Sequence, residues 1–114
     1  MPHALEQEVN QLHAEICAGL ADPIRILILY ALHDKPSNVN ELVEMLELSQ
    51  PTISRHLKVL RERGMVSTNR FGTSVEYSLA DERLIQALDL LRAVLANKLK
   101  NQAALADTFG NPSK

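Results

Sequence analysis

Leu48-Ser49-Gln50-Pro51-Thr52-Ile53-Ser54-Arg55-His56-Leu57-Lys58-Val59-Leu60-Arg61 is the stretch whose reading decides the fold of this chain. Ser49-Gln50-Pro51 has the chemistry of a helix start. A short oxygen-bearing side chain caps the first amides, and a proline follows in the first turn, where its missing N–H costs nothing. Ile53, Leu57 and Leu60 then fall on one side of a 3.6-residue repeat, and Gly64 stops the helix. Upstream, beyond the Pro36-Ser37-Asn38 loop, Val39, Leu42, Val43 and Leu46 keep the same period. Two short helices, about 39 to 47 and 51 to 63, therefore form a helix-turn-helix. Its second helix fits a major groove roughly 12 Å wide.

With Ile53, Leu57 and Leu60 turned inward, Thr52, Arg55, Lys58 and Glu62 face outward. Ser54 and Arg61 lie on one flank, His56 and Arg63 on the other. Gln50, Thr52 and Ser54 offer short neutral donors and acceptors at the helix N-terminus, the end from which such helices touch base edges. Arg55 and Lys58 suit guanine or phosphate, and Glu62 an ion pair on the solvated face. His56 either reaches the groove or bonds a backbone carbonyl within the fold. The window from Gln50 to Arg70 holds five cations and one acid, a local charge of +4 in a chain of formal net charge −2. Phosphate binding needs such a concentration of cations, and the rest of the chain does not supply one.

Outward from the helix pair, the pattern changes. Met65 to Leu79 is rich in β-branched residues, alternates in Val75, Tyr77 and Leu79, and is broken by Phe71-Gly72, which reads as a hairpin. Arg70, beside its turn, suits the phosphate backbone of an adjacent groove. Before the helix pair, Asp22-Pro23 opens a helix that is apolar nearly all round from Ile24 to Leu32, interrupted by Arg25. A helix with so little polar surface belongs in the core. Two more helices bracket the chain: one of about 4 to 20 with a stripe of Leu5, Val9, Leu12, Ile16 and Leu20, and one of about 81 to 102. The second carries more leucine than one face needs, so a two-fold partner is expected to cover both. The segment from Gly110 to Lys114 reads as a frayed tail.

Composition removes the main rivals. At 114 residues the chain is expected to be a single domain over 1–114, too short for a second, catalytic one. There is no glycine-rich phosphate loop and no nucleophile paired with a histidine, so an enzyme is not expected. Aromatic residues make up 4%, with no tryptophan, too little for single-strand stacking platforms. No apolar run is long enough for a membrane span and the start lacks a secretory pattern, so a cytoplasmic location is expected.

The run from Leu48 to Arg61, followed by Gly64-Met65-Val66, Arg70-Phe71-Gly72 and Tyr77-Ser78-Leu79, resembles the ArsR/SmtB winged-helix repressors. Asp22-Pro23-Ile24-Arg25 resembles the same family's entry to its second helix, and the resemblance extends over about residues 10 to 100. It implies a mainly α fold with a small β-hairpin, a winged helix-turn-helix of four helices, two strands and a fifth helix. It also implies a homodimer joined through the terminal helices, and a repressor that leaves an inverted-repeat operator on double-stranded DNA when an effector binds. The expected DNA contacts are Gln50, Thr52, Ser54, Arg55, His56, Lys58 and Arg70.

The family's metal sensors carry Cys-x-Cys at the start of the third helix, where this chain has Asn38 and Asn40. A second ligand set matches Asp81, Arg83, Val94 and Asn97, of which Asp81 alone keeps the family's ligand; a guanidinium and an isopropyl group cannot bind a cation. No metal or other cofactor is expected at those positions, and the effector stays open: an organic ligand at the dimer interface, a thiol-reactive species at Cys17, an unconventional metal site, or none. Cys17 is the one cysteine: a small apolar residue by default, a redox sensor as the alternative. The rival to the DNA-binding reading is a winged-helix protein–protein module, motivated by the overall acidic charge and by Arg70 as the wing's sole cation.

Overall fold

The computed structural model describes residues 2–107. The chain runs α1 (His3–Glu15), a 3-10 turn η1 (Cys17–Leu20), α2 (Pro23–Asp34), α3 (Val39–Leu46), α4 (Gln50–Glu62), β1 (Val66–Phe71), β2 (Ser74–Leu79) and α5 (Arg83–Leu105). It divides after Glu82 into two compact units. The first is a winged helix-turn-helix, and α5 is the described part of the second. The tail from Gly110 to Lys114 lies outside the described residues.

Local chemistry sets most helix starts. Asp22 caps α2 by accepting from the Ile24 N–H at 2.8 Å, ahead of Pro23 in the first turn. Asn38 and Glu41 form a reciprocal capping box on α3: Asn38 Oδ1 accepts from the Glu41 N–H at 2.8 Å, and Glu41 Oε1 from the Asn38 N–H at 2.9 Å. Ser49 caps α4 through the Thr52 N–H. Between α3 and α4 the chain reverses at Glu47, a non-glycine residue in the left-handed region with φ 55°.

The core of the first unit is Ile28, Leu29 and Leu32 of α2, Leu42 of α3, and Ile53, Leu57 and Leu60 of α4, closed by Met65 and Val66. Each such side chain contributes roughly 1.5–3 kcal/mol on burial. The hairpin pairs Val66 with Leu79 through to Phe71 with Ser74, turning at Gly72 with φ +60°. Its base is fastened to the helices. Ser37 and Tyr77 exchange two backbone hydrogen bonds of 3.0 and 2.8 Å, and the Met65 N–H donates to the Leu60 carbonyl at 2.9 Å.

The end of the first helix differs from the expectation by more than a turn. The first stripe predicts a single helix to Leu20, but α1 ends at Glu15 and the chain tightens into η1. The reason is non-local. The turn carries Gly19 so close to Met65 and Arg63 that a Cβ there would lie 2.6 Å from Met65 Sδ. The carbonyls freed at the break are taken up by arginines from elsewhere in the fold. α1 has no buried residue: Leu5, Val9 and Leu12 stand exposed along it. In α5, Ile85 and Leu88 are buried, whereas Leu90, Leu91, Val94, Leu95 and Leu99 are exposed. Among the described residues, no single helix is long and apolar enough to cross a membrane.

Candidate nucleic-acid interface

The second helix of the pair, α4, has two chemically distinct sides. Its inner side is sealed into the core by Ile53, Leu57 and Leu60. Its outer side presents Gln50, Arg55, Lys58, Arg61 and Glu62 exposed, with Thr52 and Ser54 partly so. The neutral groups at the N-terminus are already ordered. Gln50 Nε2 donates to Ser54 Oγ at 2.9 Å, and the hydroxyls of Ser49 and Thr52 lie 2.8 Å apart. Side chains held in place lose less freedom when a base edge or phosphate takes over one of those bonds. The wing adds Arg70, exposed on β1 opposite Val75. Beside the start of α4 lies a cleft of about 330 Å³, lined by Asn38, Val39, Asn40 and Gln50 and by Thr73, Ser74 and Val75 of the wing.

Of the seven expected contacts, the fold puts Gln50, Thr52, Ser54, Arg55 and Lys58 along one helix surface and Arg70 on the hairpin beyond it. His56 is a correction. It is 4% exposed and turned inward. Spacing explains the inversion: His56 is three residues after Ile53 and four before Leu60, so it shares their side of the helix. Its partner is not a carbonyl but Arg25, whose Nη1 lies 3.2 Å from His56 Nδ1. Asp22 Oδ2 is 4.0 Å from His56 Nε2.

Arg63 is also withdrawn from the outer face. Its Nη1 donates to the Ala14 carbonyl and, at 3.3 Å, to that of Glu15, satisfying the C-terminus of α1. The cations left for a phosphate backbone are therefore Arg55, Lys58, Arg61 and Arg70. The sequence did carry a signal for Arg25, which is the lone charge interrupting an apolar helix. Its partners lie six, seven and 31 residues away and could not be read from the pattern. Cys17 is exposed at the start of η1, not buried as its default reading expects.

Asn38 and Asn40, at the family's Cys-x-Cys positions, sit at the start of α3, where Asn38 is committed to the capping box. Among the described residues, no group of three or more His, Cys, Asp or Glu side chains is placed to hold a metal ion.

Comparison with known proteins points the same way. Residues 22–68 match the model of the arsR family of bacterial regulatory proteins. The chain is 40% identical over 78 residues to the HTH-type transcriptional repressor SmtB of Mycobacterium tuberculosis, a match that covers 68% of this chain and 58% of that protein. It thus spans less than two thirds of the length of this curated relative. With the biofilm growth-associated repressor of Agrobacterium fabrum it shares 32% identity over 98 residues, which are 86% of this chain and 83% of the relative. Among solved structures, the crystal structure of Rv0081 from Mycobacterium tuberculosis superposes with a TM-score of 0.74 at 34% identity, covering 83% of this chain and 96% of that one.

Proposed function

We infer the function from a premise the comparisons supply: the chain belongs to the arsR family of bacterial regulatory proteins. It is a regulator and not an enzyme. It acts as a homodimeric, sequence-specific transcriptional repressor that binds an inverted-repeat operator on double-stranded DNA in the cytoplasm and is released by an effector. The observation that carries this reading is the two-sided α4, apolar and sealed within, hydrogen-bonding and cationic without.

In this reading α4 enters the major groove from its N-terminal end. Gln50, Thr52 and Ser54 meet base edges, Arg55 and Lys58 take guanine or phosphate, and Arg70 neutralises phosphate beside the adjacent groove. A second copy covers the exposed apolar residues of α1 and of α5, which sets the two half-sites about 34–36 Å apart. With the family's metal-sensor positions replaced, the effector is not one held by those ligand sets.

Fluorescence anisotropy against DNA from upstream of the protein's own gene, with competitor DNA at several salt concentrations, tests the reading. Arg55→Ala should weaken specific binding by about tenfold, and Arg70→Ala should reduce the slope of log affinity against log salt by about one. Unchanged affinity in both variants would refute the assignment of faces. No binding even at low salt would point instead to a winged-helix protein–protein module.

A further inference from the structure

Arg25 stands where electrostatics disfavours it. It is the third residue of α2, in the first turn, where the helix dipole presents its positive end and a cation is unfavourable. Its guanidinium is half-buried and donates to three neutral acceptors. Nε bonds the Gly19 carbonyl at 2.7 Å, Nη2 the Ala18 carbonyl at 3.2 Å, and Nη1 the buried His56 Nδ1 at 3.2 Å. The planar fork of an arginine can make three such bonds from one fixed body, and a lysine cannot. Because a guanidinium only donates, Nδ1 of His56 must accept, which places the ring proton on Nε2, the nitrogen 4.0 Å from Asp22.

The apolar contacts of Ile53, Leu57 and Leu60 decide which side of α4 faces the core, but a small roll changes the area they bury only slightly. A hydrogen bond to a ring nitrogen is directional. The Arg25–His56 bond therefore adds a directional constraint to the one the core imposes, on small rotations of α4 about its own axis relative to η1. Arg63 fastens the far end of the same helix to the last carbonyls of α1. A small roll of α4 would swing Gln50, Thr52 and Arg55 across the base edges while leaving their charge near the phosphates.

We propose that Arg25 is a positioning residue for operator recognition, acting through Nδ1 of His56 to fix the roll of α4, and so setting sequence discrimination rather than affinity for DNA in general. The inference rests on the DNA-binding reading above.

The test uses the full chain and DNA selected from a random-sequence pool by the wild-type protein. Arg25→Lys and His56→Gln, which displace the donor or the acceptor, should lower the ratio of selected-sequence to competitor affinity by about tenfold, with the salt slope unchanged. His56→Asn, which keeps an acceptor near the Nδ1 position, should retain the ratio within about twofold, as should any variant that keeps the bond. Long-range proton–nitrogen NMR should show His56 protonated on Nε2 in the wild type and a mixed tautomer in Arg25→Lys, with thermal melts confirming that both remain folded. A salt slope reduced by about one in the charge-removing Arg25→Gln, an undiminished ratio in Arg25→Lys, or a wild-type proton on Nδ1 would overturn the positioning role. If the wild type selects no sequence, the DNA-binding reading itself falls, and Arg25's part in it with it; intact selection with an unchanged ratio in Arg25→Lys sinks the positioning role alone.

Discussion

α1 and α4 are built on the same apolar spacing and meet opposite fates. Leu5, Val9 and Leu12 repeat the intervals of Ile53, Leu57 and Leu60, and both helices have 13 residues. Yet the α4 set is 0%, 1% and 0% exposed, and the α1 set 40%, 49% and 49%. Periodicity says that a face is to be covered; it does not say by what. For α4 the cover is α2 and α3 of the same chain, and for α1 we assign it to a second copy.

The sharpest way to break that contrast is to remove one leucine from each helix. Leu57→Ala should cost about 2–5 kcal/mol and lower the melting temperature at every protein concentration, because it opens a cavity in the core. Leu12→Ala should leave the unfolding of dilute protein nearly unchanged and weaken self-association in sedimentation. It should also abolish any rise of melting temperature with concentration. Equal losses from the two variants would mean that α1 is covered from within its own chain.

A smaller effect is expected where the two helices are tied together. Gly19→Ala drives a methyl against the buried Met65 sulfur and the Arg63 stem, and should destabilise by about 1–3 kcal/mol in a chemical denaturation series. Met65→Ala in the same background should recover part of that loss by making room.

The smallest effect concerns a cap that needs no partner copy. The backbone N–H of Asn38, then the ammonium of Lys35, hold the Glu41 carboxyl below its ordinary value of 4.5. A lowered folded-state pKa means that the stabilisation is present above the unfolded value and is lost as pH falls through the folded one. Glu41→Gln should flatten the stability profile across that acidic window by slightly lowering stability at neutral pH and leaving it little changed below the folded-state pKa, independently of protein concentration. The side chain is 40% exposed, and screening by solvent keeps the effect small.

The starts of α2, α3 and α4 were legible because Asp22-Pro23, Asn38 and Ser49-Gln50-Pro51 act on amides within three residues of themselves. The hairpin was legible from its period and from Gly72. The end of α1 was not, since the stripe continues through Ile16 and Leu20 as though the helix did, and what breaks it arrives from Arg25, Arg63 and Met65. The outer surface of α4 was legible from spacing. The withdrawal of Arg63 was not, because an arginine at a helix end serves phosphate or carbonyl equally well. The burial of His56 is written in its spacing, three residues after Ile53 and four before Leu60.

The hairpin is fastened by hydrogen bonds where it leaves the core, through Ser37, Tyr77 and Met65, while its turn lies beside the starts of α3 and α4 across an open cleft. Adding two residues to each strand beside Gly72 and Thr73 would lengthen it in register, keeping the same kind of pair at the turn, without disturbing a buried side chain. Reach along the double helix is thus a quantity that evolution, or a designer, can change two residues per strand at a time while the rest of the fold stays as it is.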